Sequence, residues 1–325
     1  MIKNRVFLFV IGVILSAMVI EVGVRAISPL LGPPLVSWNT MEDAKKLKLE
    51  EFLKRYQNPE FVFMGNSTTL IGVRPNIFDE FAELPVGSSF NAGMNGSDIK
   101  TMRDFAIGHL IKNVRPRNLV MLFSNTQMIE DRGYQKDRGY QKLKIEPPSL
   151  ISNSYFYKYR NTFKDPMTVN TLFRIAKYRD ARQGIVYRWA DNLDDFGYTR
   201  YEITTTRYPK DGWDPVTEIE NDERSYLIDD SQFRYLLEVR DFARDNGVNL
   251  VIGTVPLPAQ DDQYRTTIRE IANRFGIDFI QGNNAIGRGK YFQDTVHLNK
   301  DGSRIFSEYL GQKLPKIVST QMKMG

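Results

Sequence analysis

The chain contains no cysteine, and only two of its 325 residues are histidine. The first absence excludes disulfides, thiolate metal sites and a cysteine nucleophile, and it fits an oxidising compartment. The second restricts any histidine-dependent mechanism to His109 and His297. Strong charge of one sign is missing as well. The 44 Lys and Arg stand against 39 Asp and Glu, a net +5 that is too mild to argue for a nucleic-acid partner. No carboxylate cluster shows ligand spacing, so no metal is indicated, and nothing implies a cofactor. The rest is an ordinary globular composition, 42% hydrophobic and 26% charged, long enough for one large domain with an insertion.

Long apolar runs are absent except at the start. Lys3 and Arg5 precede an uncharged stretch over 6–20, and apolar residues continue past Glu21 and Arg25 to Ile27. The 22 residues of 6–27 are close to the ~20 that a spanning helix needs. Glu21 and Arg25 lie four apart and can pair on one helical face. A cleaved signal peptide is the rival reading. Its nearest small-x-small site, Ala26-Ile27-Ser28, is followed by Pro29, which is unfavourable for cleavage. The expectation is an uncleaved, single-pass transmembrane anchor over 1–30. Lys3 and Arg5 place the N-terminus in the cytoplasm and the remainder outside the plasma (inner) membrane. Residues 31–58 read as a linker, with a solvated spacer helix in MEDAKKLKLEEFLKRYQNP that ends before Pro59.

From 59 onward, apolar runs alternate with amphipathic ones. Strands are expected at 61–64, 88–94, 118–123, 249–255 and 277–280. Helices are expected in DIKTMRDFAIGHLIKNVRP, at 232–247, at 262–276 and from 301 to 318. Uncharged strands between amphipathic helices argue for an α/β domain whose parallel sheet is covered on both faces. The rhythm fails over 126–225, too long for a plain connection, so this is an insertion between core segments 59–125 and 226–320. It carries the tandem DRGYQKDRGYQK at 131–142, read as a local duplication. Between 132 and 210 there are 16 Lys or Arg against 8 Asp or Glu, and ten of the 16 tyrosines. Arginines among aromatics suit stacking on sugar rings or a partner interface, and equally the packing of an irregular lid.

Four short motifs carry chemistry. In FVFMGNSTTLIG, Ser67 follows the first strand, where a serine commonly caps a helix and can also serve as a nucleophile. In DTVHLNKDG, Asp294 and His297 are three apart. The carboxylate can fix one ring nitrogen of His297 and leave the other to take a proton from a hydroxyl. In NAGMNGSD, Gly96 can offer an unobstructed backbone N–H, and in VMLFSNTQ, Asn125 can offer a side-chain amide. With the Ser67 N–H these make three donors for an oxyanion. His109 reads as a surface helix residue.

Gly-x-Ser, Asn-x-Gly-x-x-Gly, a strand ending in Ser-Asn, and Asp-x-x-His-Leu occur in that order. Together they resemble the blocks of the SGNH (GDSL-type) hydrolase superfamily, over about 59–125 and 226–320. Asn66 stands where that family usually has aspartate, and the third block reads Phe-Ser-Asn rather than Gly-x-Asn-Asp. The resemblance implies a three-layer α/β/α, flavodoxin-like sandwich over 59–325. It makes Ser67 the nucleophile, His297 the base and Asp294 its orienter, with Ser67, Gly96 and Asn125 as the oxyanion hole. On this reading Ser67 both starts a helix and attacks a carbonyl.

Outward-facing anchored members of that superfamily resemble proteins of alginate O-acetylation and teichoic-acid D-alanylation, which work beside a multispanning acyl-transfer protein. The expectation is therefore a serine esterase or O-acyltransferase on an acylated cell-surface polysaccharide, with such a membrane partner. A general carboxylesterase or lipase acting on small esters, and a non-catalytic glycan-binding subunit, stand as alternatives.

Overall fold

The computed structural model describes residues 2–31, 41–124, 129–130, 190–199, 227–228, 230–257, 262–282, 286, 290–294 and 296–321. Two compact units divide the chain: Met1–Glu42 with Gln141–Trp189, and Asp43–Tyr140 with Ala190–Gly325. In the first, the apolar N-terminal stretch forms helix α1, Ile2–Leu31. Its described side chains are those at 9 and 11–27, and Phe9, Leu15, Val19 and Val22 among them are exposed. Among the described residues no helix is long and apolar enough to cross a membrane, so the transmembrane segment expected at 1–30 finds no support there.

The second unit is built on five parallel strands: β1 Phe61–Met64, β2 Ser89–Asn91, β3 Asn118–Phe123, β6 Asn249–Thr254 and β7 Asp278–Gln281. They lie in the order β2-β1-β3-β6-β7. Register places Val62 opposite both Phe90 and Leu119, Val120 opposite Val251, and Ile252 opposite Phe279. Uncharged sequences such as FVFM and NLVMLF form these strands because both faces are covered. Every residue of β1 and β3 is buried. Alternation sends Phe61, Phe63, Val120, Leu122, Val251 and Ile280 to one face. There they meet Phe78 of α4 (Pro75–Phe81) and Phe306, Leu310 and Leu314 of α8 (Lys300–Gln321). Helix α5 (Ile99–Phe105) and helix α6 (Asp230–Asp245) pack against each other, and α7 (Asp262–Phe275) packs on β6 and β7. The expected parallel α/β sheet is present, and its order reverses between β1 and β3. That crevice, beyond the strands' carboxyl ends, is where such sheets bind ligands.

Several details differ from the sequence expectations. Strand β2 stops at Asn91 rather than at 94: Ala92 and Met94 still donate to Phe63 O and Gly65 O, at 2.7 and 3.0 Å, but between them Gly93 N turns to the Asn91 side chain, at 2.8 Å. Helix α5 continues as a π-helix over Ala106–Val114, ending where Arg115 takes a left-handed conformation. His109 lies in that turn, half-buried, with its ring centroid 5.5 Å from that of Phe105. Burial, with the nearby charge of Lys46, pushes its pKa down to about 4, so it is not the surface residue expected. Of the insertion, the antiparallel pair β4 (Ile129–Glu130) and β5 (Leu227–Ile228) closes the base. The DRGYQK repeat lies outside the described residues.

Helix α2, Met41–Arg55, is the main correction. Read as a solvated spacer, it instead holds Lys45 and Phe52 at 0% and 1% exposure. The Phe52 ring sits 5.3 Å from Phe90 of β2 and 6.3 Å from Phe196. Lys45, Leu49 and Phe52 follow the i, i+4, i+7 spacing of one face. A lysine on that stripe disguises it as polar. Phe52→Ala is expected to cost about 3–5 kcal/mol in urea unfolding, as for a core aromatic. A loss within about 0.5 kcal/mol, the value for a solvated helix position, would return α2 to the status of a spacer.

Candidate active site

The turn that presents Ser67 is built from glycine outward. After β1, Gly65 admits no side chain: a Cβ there would collide with Thr69 Oγ1 and come within 2.7 Å of Leu122 O. Asn66 then caps α3, Ser67–Gly72. Its Oδ1 accepts from Thr68 N at 2.9 Å and Thr68 Oγ1 at 2.6 Å, while its Nδ2 donates to Ser124 Oγ at 2.8 Å. Ser67 starts the helix, as the sequence reading has it, but the cap that a serine there commonly provides comes from Asn66. That one-residue difference leaves the Ser67 hydroxyl out of the capping bond. It also leaves the Ser67 N–H in the first turn, where helical donors have no partner along the helix.

The hydroxyl lies 2.8 Å from His297 Nε2. His297 Nδ1 lies 2.8 Å from Asp294 Oδ2, and the other carboxylate oxygen accepts the N–H groups of Val296 and His297 at 2.9 and 2.7 Å. The backbone bonds fix the carboxylate, which in turn fixes the ring with its proton on Nδ1 and a lone pair on Nε2 facing Ser67. Partial burial alone would raise the Asp294 pKa. The hydrogen bonds from the His297 ring and from the two N–H groups outweigh it and hold the carboxyl below its ordinary 3.8. The loop is pinned from both sides, because Gln293 N–H donates to His297 O and Asn299 N–H to Tyr291 O, each at 2.9 Å. The structure thus brings Ser67, His297 and Asp294 together.

Gly96 adopts φ +67 with open space where a Cβ would be. Its turn is tied to the Ser67 turn through one carbonyl: Gly65 O accepts from Met94 N at 3.0 Å and Ser97 Oγ at 2.8 Å. Asn125 lies outside the described residues. Its neighbour Ser124 is the hydroxyl bound by Asn66.

Two asparagines were missed as structural elements, Asn66 and Asn91. Asn91 Nδ2 donates to Thr69 O, Leu70 O and Val73 O at 3.0, 3.3 and 2.7 Å, and Oδ1 accepts Gly93 N at 2.8 Å. The last bond is an Asx turn, for which Asn-x-Gly after a strand was an available signal.

No family model matches the chain, and no curated protein does. Among solved structures it is similar to one described as a "putative acylhydrolase" from Bacteroides fragilis, at 12% identity and TM-score 0.41, over 82% of this chain and 95% of that one. It is also similar to a GDSL-like lipase from Bacteroides thetaiotaomicron, at 13% identity and TM-score 0.42, over 85% and 98%. At that distance neither likeness carries a conclusion about chemistry, which has to come from the site itself.

With its pKa lowered, Asp294 adds stability that is complete above about pH 4 and is lost as pH falls through the folded value. Asp294→Asn is expected to flatten that acid-side decline in urea midpoints measured from pH 6 to pH 2. An unchanged profile would show that the carboxylate is not held as its bonds indicate.

Proposed function

We propose that this chain is a serine acyl-ester hydrolase or O-acyltransferase that works through an acyl-enzyme on Ser67. The observation that carries the reading is the line from Ser67 Oγ to His297 Nε2 and from His297 Nδ1 to Asp294, each step 2.8 Å. A serine hydroxyl is a poor nucleophile until a neighbouring base takes its proton. Here the base is neutral on the side facing serine and is backed by a carboxylate that stabilises the imidazolium once formed.

Ser67 Oγ bonds to the ester carbonyl carbon while its proton passes to His297 Nε2. Negative charge develops on the carbonyl oxygen, for which the Ser67 and Gly96 N–H groups and the Asn125 amide are the assigned donors. The tetrahedral species collapses, the C–O bond to the alcohol breaks, and that alcohol leaves with the proton from His297. The acyl group then passes to water, giving the acid, or to another hydroxyl, giving a transferred ester, by the same steps reversed.

The finer reading is an enzyme outside the cell that acts on an acylated surface polysaccharide beside a multispanning acyltransferase. Support for the anchor comes from the uncharged run at 6–20 and the exposed Phe9, Leu15, Val19 and Val22 of α1. Support for an acidic glycan comes from the Arg- and Tyr-rich composition of the insertion.

Full-length protein in detergent, treated with a fluorophosphonate, is expected to carry the adduct on Ser67 by mass spectrometry. Ser67→Ala abolishes labelling, and His297→Ala slows it by about 10²–10⁴-fold. A folded wild type that never labels would sink the catalytic reading in favour of a binding subunit. Supplying p-nitrophenyl acetate together with oligosaccharides then separates the two fates: acetylated sugar marks a transferase and free acetate alone an esterase. A strong preference for long-chain esters would favour the lipase alternative.

A further inference from the structure

Lys45 is a lysine with no solvent exposure, on a helix far from the catalytic residues in sequence. Burying an ammonium is costly unless hydrogen bonds meet it. Burial pushes its pKa down to about 7, with the Asp194 carboxylate acting in the opposite direction. Its Nζ donates to Asn91 O at 2.6 Å and to Gly197 O. Neither carbonyl is incidental. Gly197 has φ +78, and its approach to β2 is so close that a Cβ would collide with Asn91 O. Asn91 N–H donates to Phe196 O at 2.9 Å, so the turn at 194–198 is bonded to the edge strand as well as to the lysine. Asp194 forms that turn by accepting from Phe196 N and Tyr198 N at 2.9 and 2.8 Å.

Asn91 is the residue whose carboxamide reaches the far end of the nucleophile helix. Helix α3 has only six residues, and its terminal carbonyls have few partners along the helix. Asn91 Nδ2 takes Thr69 O, Leu70 O and Val73 O together, while its Oδ1 holds Gly93 N at the start of the turn leading to Gly96. One side chain therefore fixes both the helix that begins with Ser67 and the loop that carries Gly96. Helix and loop approach closely here: a Cβ on Gly93 would come within 2.6 Å of Leu70 N and 2.9 Å of Asn91 Oδ1.

We propose that Lys45 is a positioning residue for the reaction at Ser67: by holding the Asn91 carbonyl against Gly197 O it keeps Asn91, and through it α3 and the Gly93–Gly96 turn, in the reactive arrangement. Within α2 this role belongs to the Lys45 side chain, which makes the two bonds, while Phe52 contributes packing. The inference rests on Ser67 being the nucleophile, as proposed above.

The test compares fluorophosphonate labelling rates at Ser67 in full-length wild type, Lys45→Met and Phe52→Leu, at a temperature where each is folded by near-UV circular dichroism. Methionine fills the lysine's stem volume but donates nothing. Phe52→Leu removes the ring contacts with Phe90 and Phe196 while keeping the Lys45 ammonium and both its acceptors. The expected result for Lys45→Met is a labelling rate constant lower by about 10–100-fold, since displacements near 1 Å at a reacting atom cost that much. Phe52→Leu is expected to melt earlier and yet label at the wild-type rate. Should Lys45→Met fail to fold, Lys45→Gln, which keeps a shorter N–H donor, takes its place and is expected to fall between the two. Equal rates in wild type and the Lys45 variant would overturn the positioning role, and so would an equal loss in Phe52→Leu. An unlabelled wild type would instead overturn the assignment of Ser67 and is recognisable before any variant is compared.

Discussion

A hydrogen bond of 2.8 Å joins two residues 230 positions apart, Ser67 and His297, and the architecture of the second unit answers to that separation. Neither partner can be placed locally. Ser67 is set by β1, a central strand buried on both faces, and His297 by a loop ahead of α8, whose apolar face is buried against α4 and the sheet. A parallel sheet with its order reversing between β1 and β3 offers a crevice at the strands' carboxyl ends. The helices on either side bring the last loop of the chain back to it. Misplacing either support by an ångström would leave a serine and a histidine with ordinary reactivity.

Around that bond, polar side chains do the local fastening, and most of them are amides. Asn66 links the start of α3 to Ser124 at the end of β3. Asn91 links the far end of α3 to the turn before Gly96. An amide carries donor and acceptor at once and needs no counter-charge, so it can join two backbone segments inside a protein where a carboxylate would have to be neutralised. Among the described residues of the site, the carboxylate Asp294 keeps its charge because it accepts two backbone N–H groups and an imidazole N–H.

Much of the domain was legible in the sequence because the relevant signals are local. The runs FVFM and NLVMLF have no charge, and they form β1 and β3 at the expected residues. Asp-x-x-His is a spacing that one loop can satisfy, and it does. Features set by distant partners were not legible. Helix α2 looked solvated because Lys45 sits on its buried stripe, and the distant Asn91 O, Gly197 O and Asp194 carboxylate explain why a lysine is tolerated there. The early end of β2 comes with the turn of Gly93 N to the Asn91 side chain, whose amide is oriented by carbonyls of α3 that its own sequence does not announce. His109 looked exposed because the shift from α to π geometry at Ala106 rotates the residues beyond it. The cap fell to Asn66 rather than Ser67 by a single residue, within the usual latitude of helix ends.

The long span between nucleophile and base also sets an order of events during synthesis. A ribosome releases Ser67 and its strand 230 residues before His297, and the helix that anchors the His297 loop comes later still. A partly made chain, or one shortened before α8, holds the serine without its base. Such a chain also lacks Phe306, Leu310 and Leu314 from the core that covers one face of the sheet. The Ser67–His297 hydrogen bond and the closing of the core therefore arrive together, once α8 has been made.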